Sequence, residues 1–468
     1  MGKIRLFGTN IPLPFLLLAM VELCLISGCV VLAASLRFDG DLREVYRTLG
    51  PLLHRALFYA CIMVLSLGAM GLYQIHFREG YLGQLLRVFA GCLLGWGILA
   101  VLYYLIPSLY VGRGVASMSL AFSVAIVVFL RPAFYSLVDL DSLKPRVLIL
   151  GAGEKAAWIM RSMYHRSNRR GFCLIGFVDT GGIRHVNGDV PVLKLDGSLS
   201  DYIQRCRVDQ IVVAVDDRRN NLPMQDLLDC RLAGVEVIDL ATFFEQETST
   251  VALELVDASW LVFGQGFRHG ILLAGIKRSL DILLSAMLLV LFWPVILLAA
   301  VAIKLEDGLH VPVFYSQIRV GRGRLPFKLY KLRSMRVDAE RTSGACWTQA
   351  NDNRITHVGK VIRKCRIDEL PQIFNVLRGD MSFVGPRPER PEFTQELEKR
   401  IRYYRERCAV KPGLTGWAQL RYPYGASDRD ASEKLKYDLF YIKNHNTFFD
   451  LLILLQTVEV VVFGKGAR

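Results

Sequence analysis

The chain has 468 residues, 52% of them hydrophobic, and 57 Lys plus Arg against 43 Asp plus Glu give it a formal charge of +14. With a mean hydropathy of +0.32 this excludes a disordered chain and fits poorly with a purely soluble one, and the length suits roughly three domains. Residues 1–266 hold 24 basic and 23 acidic residues while 267–468 hold 33 and 20, so an anionic ligand is expected in the C-terminal part. The ten cysteines show no C-x-x-C and no zinc spacing, and Cys24, Cys29, Cys61 and Cys92 lie in apolar runs. That pattern argues against a disulfide framework and suits the reducing side of a membrane.

Residues 11–35 are apolar apart from Glu22, too long for a secretory signal and long enough to cross ~30 Å of hydrocarbon. Similar runs follow at 52–74, 82–106 and 115–130, predicting a four-helix transmembrane region over 1–142. Lys3 and Arg5 before the first span, and Arg131, Lys144 and Arg146 after the fourth, place both ends of the bundle on the cytoplasmic side.

Over 143–245 strand and helix signals alternate, as in a Rossmann-like α/β domain. Strands are expected at 146–150, 173–179, 210–215 and 235–240, and an amphipathic helix, stopped by glycine, at 222–234. Gly151 and Gly153, with Ala156 in the third position, could form a phosphate-binding turn. The ribose-binding acid is expected ~20 residues on, whereas Asp179 lies 28 residues after Gly151. The reading adopted is a turn kept for packing, with no tight NAD site. Residues 246–271, including SWLVFGQGF, read as a linker or docking segment.

Residues 282–303 are free of charge but have Pro294 in the middle. Two legs of about 12 and 9 residues each reach less than ~20 Å, too short to cross. A re-entrant helix over about 277–306, broken at Pro294 and returning to the face it entered, is therefore expected. Lys277, Arg278 and Lys304 would then lie at headgroup level.

Between 314 and 336 stand Arg319, Arg322, Arg324, Lys328, Lys331, Arg333 and Arg336, with a turn at Gly321 and Gly323. Asp368-Glu369 then precedes a helical pattern over 370–377, with Pro371 tolerable only in its first turn. Asp368 is thus expected near the N-cap, kept ionised by the helix dipole. Arg363 and Arg387, the latter held between two prolines, leave positive charge to neutralise a diphosphate.

KRSLDILLS, the proline-broken helix, KLRSM, RKCRIDELPQIFNVLRGDMSFVGPRP and KPGLTGWAQL together resemble the bacterial polyprenyl-phosphate sugar-1-phosphate transferases, which are monotopic phosphoglycosyl transferases. The resemblance covers about 272–468; four spans and a Rossmann-like domain ahead of it resemble the large members, and SWLVFGQGF is similar to the exosortase-associated branch. The resemblance implies a mostly helical monotopic catalytic domain. Asp368 would attack a UDP-sugar, release UMP and pass the phosphosugar to undecaprenyl phosphate, the first membrane step of exopolysaccharide, capsule or O-antigen synthesis. It further implies Mg²⁺ held by Asp368 and Glu369, phosphate clamping by Arg363, Arg387 and Arg333, and a catalytic domain on the cytoplasmic face of the bacterial inner membrane. Trp293-Pro294 departs from the Ser-Pro break of small family members.

Residues 447–466 read as an interfacial helix with a lipid-facing stripe of Phe448, Phe449, Leu452, Leu455, Val458 and Val462, or as a buried core helix. UDP-glucose or UDP-galactose is the expected donor, nucleic acid is not an expected partner, and a homodimer is expected to form through 1–266. The alternatives are a membrane-anchored NAD-dependent UDP-sugar dehydratase or epimerase, and a non-catalytic scaffold for polysaccharide assembly. The first needs a Tyr-x-x-x-Lys, which the sequence lacks, and the second leaves Asp368-Glu369 without a task.

Overall fold

The computed structural model describes residues 3–6, 9–73, 81–137, 144–163, 172–179, 191–193, 199–216, 222–256, 266, 270–336, 354–422, 425 and 427–462. An antiparallel hairpin, β1 (Lys3–Leu6) and β2 (Thr9–Pro12), leads into α1 (Leu13–Arg37). After α2 (Leu42–Leu49), capped by Asp41, come α3 (Leu52–Ala69), α4 (Tyr81–Leu105) and α5 (Arg113–Leu137). Within α1, α3, α4 and α5 lie stretches long and apolar enough to cross a membrane, where the sequence places its four spans. Ile26, Val30, Tyr59, Met63 and Leu67 fill the space between them, while Met20, Leu93 and Phe129 stay exposed. Helices apolar on every side meet hydrocarbon with the face they do not pack.

One polar cluster interrupts this core. Glu22 is fully buried, with Arg131 Nε 2.9 Å from Oε1 and NH2 donating to Oε2 at 3.0 Å. The Tyr73 hydroxyl also donates to Glu22, and Arg131 donates to the Leu72 carbonyl at 2.8 Å. This corrects the expectation that Arg131 marks the cytoplasmic end of the fourth span. α5 runs six residues beyond it, and a buried carboxylate holds it inside the bundle.

Five parallel strands follow, β3 (Arg146–Leu150), β4 (Cys173–Val178), β5 (Val192–Leu193), β6 (Gln210–Val213) and β7 (Glu236–Asp239), in the order β5-β4-β3-β6-β7. Parallel neighbours need crossovers. These contain α6 (Glu154–Met163), α7 (Leu199–Cys206) and α8 (Met224–Leu232), and α9 (Leu240–Thr248) follows the last strand. β3 is central, and Val147 to Leu150 are wholly buried, as its unbroken apolar run requires.

The turn after β3 is closed from within. Gly151 has φ 116°, and a Cβ on it would stand 2.7 Å from the Ala214 carbonyl. Asp216 Oδ2 accepts the Glu154 N–H at 2.8 Å and Oδ1 accepts that of Lys155 at 3.1 Å. A Cβ on Gly153 would fall 1.9 Å from the same carboxylate. The start of α6, where a dinucleotide phosphate would sit, thus holds the chain's own anion.

The chain divides into two compact units, Met1–Ser249 and Thr250–Arg468. In the second, Val251 and Val256 enter the core, the Val251 N–H donates to Lys436 O at 3.0 Å, and Glu254 pairs with Lys436 at 2.8 Å. Of SWLVFGQGF only Gly266 falls among the described residues; a Cβ there would stand 2.8 Å from the Lys443 carbonyl.

The long apolar helix α10 (Ile271–Asp307) is the first helix described in this unit and continues as helix through Pro294. An interruption was expected there. A proline needs only one missing backbone bond and a local bend, which helical dihedrals accommodate. Then follow the hairpin β8 (Phe314–Val320) and β9 (Pro326–Leu332), turned at Gly321–Gly323, then α11 (His357–Lys364), a 3₁₀ turn (Ile367–Glu369) and α12 (Gln372–Arg378). The rest comprises β10 (Ser382–Val384), α13 (Pro391–Arg400), β11 (Gly413–Thr415) parallel to β10, α14 (Trp417–Arg421), α15 (Asp428–Asn444) and α16 (Thr447–Val462).

Both ends of α10 pack on this one unit. Lys277 Nζ donates to Asp450 Oδ2 at 2.6 Å, and Asp281 accepts from Ser382 Oγ and the Phe383 N–H, both at 3.1 Å. At the other end Ala299 and Ile303 pack with Leu332 and Ile362. Between them Met287, Val290, Leu291, Trp293, Leu297 and Leu298 are exposed. Lys277 and Arg278 are half-buried and each bonds within the unit. Their acceptors are a carboxylate for Lys277 and helix-end carbonyls for Arg278. Lys304 stays at the surface on the Leu309 carbonyl.

α16 also corrects an expectation. Phe449 is 1% exposed and stacks edge-on with Trp417 at 5.2 Å, with Ile453 and Asp450 buried beside it. Asp450 needs Lys277 and Tyr441, so its face turns inward and takes Phe449 with it. Among the described side chains Leu452 packs against the same core and Leu451 and Val458 are exposed, while Phe448, Leu455 and Val462 of the expected stripe lie outside the described side chains.

Candidate active site

Thr356 caps α11, accepting the Gly359 N–H at 2.9 Å, and α11 carries Arg363 in its last turn. The chain then reverses at Arg366, whose φ of 54° is left-handed, and enters the 3₁₀ turn that holds Asp368 and Glu369. Pro371, at φ −63°, takes the capping position of α12. Asp368 thus lies near the start of α12, one turn ahead of its capping residue Pro371. The 3₁₀ bonds Glu369 N–H to Arg366 O and Leu370 N–H to Ile367 O wind the chain up before α12 begins.

The two carboxylates have opposite environments. Glu369 Oε1 accepts from Lys331 Nζ at 3.1 Å and Arg387 NH2 at 2.8 Å, with Arg366 NH1 3.7 Å from Oε2. Burial raises its pKa, but Arg387 and then Lys331 outweigh it and hold the carboxyl well below the usual range. Asp368, 8% exposed, is shifted the other way. Burial is the largest cause, Glu369 adds to it, and Lys331, Arg363 and Arg387 oppose it without reversing it. Glu369 takes the nearest cations, so desolvation rather than the helix terminus governs the direction in which Asp368 is shifted. A carboxylate stripped of water beside a charge-pinned partner suits nucleophilic work.

The support for this pair comes from several elements. Buried Asn375 on α12 accepts the Tyr330 N–H at 3.1 Å and donates to Lys328 O at 2.7 Å, fixing β9 and hence Lys331. Arg387 projects from a loop pressed against 411–416. A Cβ on Gly385 would stand 2.3 Å from Lys411 O, and one on Gly413 2.1 Å from the Gly385 nitrogen. Arg407 donates to the Arg387 carbonyl and to Asp438, each at 3.0 Å, while Arg387 NH1 reaches Gln419 Oε1 at 3.3 Å.

Arg363, Arg387, Asp368 and Glu369 are therefore brought together. Arg333 is placed elsewhere: its Nε donates to Pro312 O at 2.8 Å and its guanidinium lies 6.0 Å over the Tyr315 ring. The rest of the basic run is similarly dispersed, with Arg319 on Pro388 O at 3.2 Å and Arg324 on Glu398 at 3.0 Å. Sequence reasoning missed Lys331, Gln419 and the Arg407–Asp438 pair as parts of the site. For Lys331 the signal was strand alternation. It shares a face with Phe327 and Leu329, and a lysine on an inward face requires a buried anion. Among the described residues no group of three or more His, Cys, Asp or Glu could hold a metal ion.

Residues 273–464 match the family described as bacterial sugar transferase. The chain is 42% identical over 239 residues to the UDP-N-acetylgalactosamine-undecaprenyl-phosphate N-acetylgalactosaminephosphotransferase of Aeromonas hydrophila, covering 51% of this chain and 55% of that protein. It thus spans about half the length of that relative. It is 42% identical over 193 residues to the UDP-glucose:undecaprenyl-phosphate glucose-1-phosphate transferase of Caulobacter vibrioides, covering 41% of this chain and 71% of the relative. To the exopolysaccharide production protein PSS of Rhizobium leguminosarum bv. phaseoli it is 39% identical over 197 residues, covering 41% of this chain and 98% of the relative. With the Asp368-Glu369 turn and its cations inside the matched region, the chain belongs to the bacterial sugar transferase family.

Proposed function

We propose that the protein transfers a sugar 1-phosphate from a UDP-sugar to undecaprenyl phosphate, the step its relatives are named for. The observation that carries this is the buried, up-shifted Asp368 beside a Glu369 pinned by Lys331 and Arg387. An Asp368 oxygen attacks the β-phosphorus, the bond to the bridging oxygen breaks, and UMP leaves with that oxygen. A phosphate oxygen of the lipid then attacks the same phosphorus and the bond to Asp368 breaks, restoring the carboxylate. Arg363 and Arg387 bind the diphosphate, and Glu369 orients Lys331 and Arg387 for it.

Mg²⁺ suits this donor set, because it takes one or two carboxylates plus substrate phosphates and keeps its waters rather than needing a protein cage. Asp368 and Glu369 would hold it, and when bound it would neutralise phosphate charge.

The parallel sheet in the order β5-β4-β3-β6-β7 supports a Rossmann-like domain, and the self-capped α6 supports one that binds no dinucleotide. The exposed apolar middle of α10, with both ends on one unit, supports a helix that returns to the cytoplasmic face it entered. Cysteines at Gly270 and Gly308, in a background without other reactive cysteines, should then label from the same side of intact cells. The name of the Rhizobium relative supports a role in exopolysaccharide synthesis.

The test is UMP release by purified membranes given undecaprenyl phosphate and UDP-glucose, UDP-galactose or UDP-N-acetylgalactosamine. UMP formed only with the lipid, and one preferred sugar, supports the reading. Altered UDP-sugar without UMP points to a dehydratase or epimerase, and no reaction points to a scaffold.

A further inference from the structure

Two residues near opposite ends of α10 hold the two helices that bracket the carboxylate pair. Near its start, Arg278 donates to the carbonyls of Val376 at 2.6 Å and Leu377 at 2.5 Å, the last turn of α12. At its end, Glu306 accepts the His357 N–H at 2.7 Å through Oε1 and the Val358 N–H at 2.8 Å through Oε2, the first donors of α11. Together with Thr356 on Gly359, this satisfies three of the N–H groups that a helix leaves open at its start. Although burial acts to raise it, the Glu306 pKa is lowered by these N–H groups, Val358 ahead of His357, which keeps the side chain an anion at the positive end of α11.

Only residues 365–371 join α11 to α12, and they contain the left-handed Arg366, Asp368 and Glu369. With α11 held from one end of the apolar helix and α12 from the other, this short turn has little freedom. We infer that Glu306 is a positioning residue for Asp368 and Arg363, acting through α11, so that the seating of the apolar helix α10 sets the geometry of the carboxylate pair. Glu306 is itself exposed, so its replacement is expected to leave the fold standing.

The inference rests on the sugar-phosphate transfer proposed above, and its test separates the two. Full-length protein in lipid nanodiscs is compared as wild type, Glu306→Gln, Glu306→Ala and the neighbouring Asp307→Asn. The readouts are single-turnover UMP release from the UDP-sugar and amide exchange of the 365–371 peptide. Glu306→Ala is expected to lower the maximal rate by on the order of 10- to 100-fold, because small displacements of a reacting group carry penalties of that size. The UDP-sugar KM should stay within about twofold, since binding groups are untouched. Exchange over 365–371 should become about five- to tenfold faster. Glu306→Gln, which keeps one acceptor, should fall between, and Asp307→Asn should match wild type. Unchanged exchange over 365–371 in Glu306→Ala overturns the inference whatever the wild type does. So does a rate loss that vanishes when expressed per folded molecule. If wild type releases no UMP, the transfer reading fails, and the exchange result alone decides whether Glu306 positions the turn.

Discussion

Replacing Asp368 by Asn keeps the shape of the side chain and removes the group that bonds to phosphorus. Glu369 cannot stand in for it, because Oε1 is held by Lys331 at 3.1 Å and by Arg387 at 2.8 Å. Turnover should fall at least about a thousandfold, equivalent to ~4 kcal/mol of barrier. Stability should move the other way. Burial raises the Asp368 pKa above its ordinary 3.8, so this carboxyl favours the folded state below that value and loses the contribution as the pH rises through its folded pKa. At neutral pH its charged form opposes folding, and asparagine carries no such charge. The variant should therefore melt at or above the wild-type temperature while being inactive. The assay uses UDP-sugar labelled in the sugar, without lipid acceptor, followed by acid quench and peptide mapping. Label should appear on the wild-type peptide bearing Asp368 and be absent from the variant. Robust wild-type turnover with no labelled enzyme, and an Asn variant keeping a tenth of the rate, would establish direct transfer and refute this reasoning.

Three further outcomes follow from the same geometry. Glu369→Gln removes a negative neighbour that raises Asp368, so the acid limb of the residual UMP burst should shift to lower pH; a limb unmoved or shifted upward contradicts the pairing. Arg131→Met leaves Glu22 buried and unpaired and should destabilise the bundle by about 3–5 kcal/mol, whereas the double variant Glu22→Leu, Arg131→Met should recover most of that, as read by thermal midpoints in detergent. NAD(H) titrated against wild type should give no low-micromolar binding, because the Asp216 carboxylate occupies the N–H groups of Glu154 and Lys155; tight binding lost in Gly153→Asp would contradict this.

What was legible in the sequence was local periodicity, and what was not depended on partners far along the chain. RVLIL reads as a buried strand because the four apolar residues after Arg146 leave no solvent face, and β3 covers those same residues. β5 has two residues and offers no period to read. Asp216 lies 62 residues from the N–H group it caps, so nothing near GAGEKA shows that its anion site is filled. Phe449 reads as lipid-facing from its spacing alone, because the Asp450–Lys277 pair that turns it inward joins residues 173 apart. Lys331 and Arg333 make the point most sharply. They are cations two residues apart near the end of one strand, alike in any composition or charge count. Lys331 reaches Glu369 because Asn375 grips the β9 backbone on either side of Leu329, at Lys328 and Tyr330, and holds that edge against α12. Arg333 lies past the end of β9, where its N–H bonds Val313 O and its side chain finds Pro312 O instead. Charge density therefore located the region that holds the carboxylate pair, and the backbone pairing of one strand selected which cation meets Glu369.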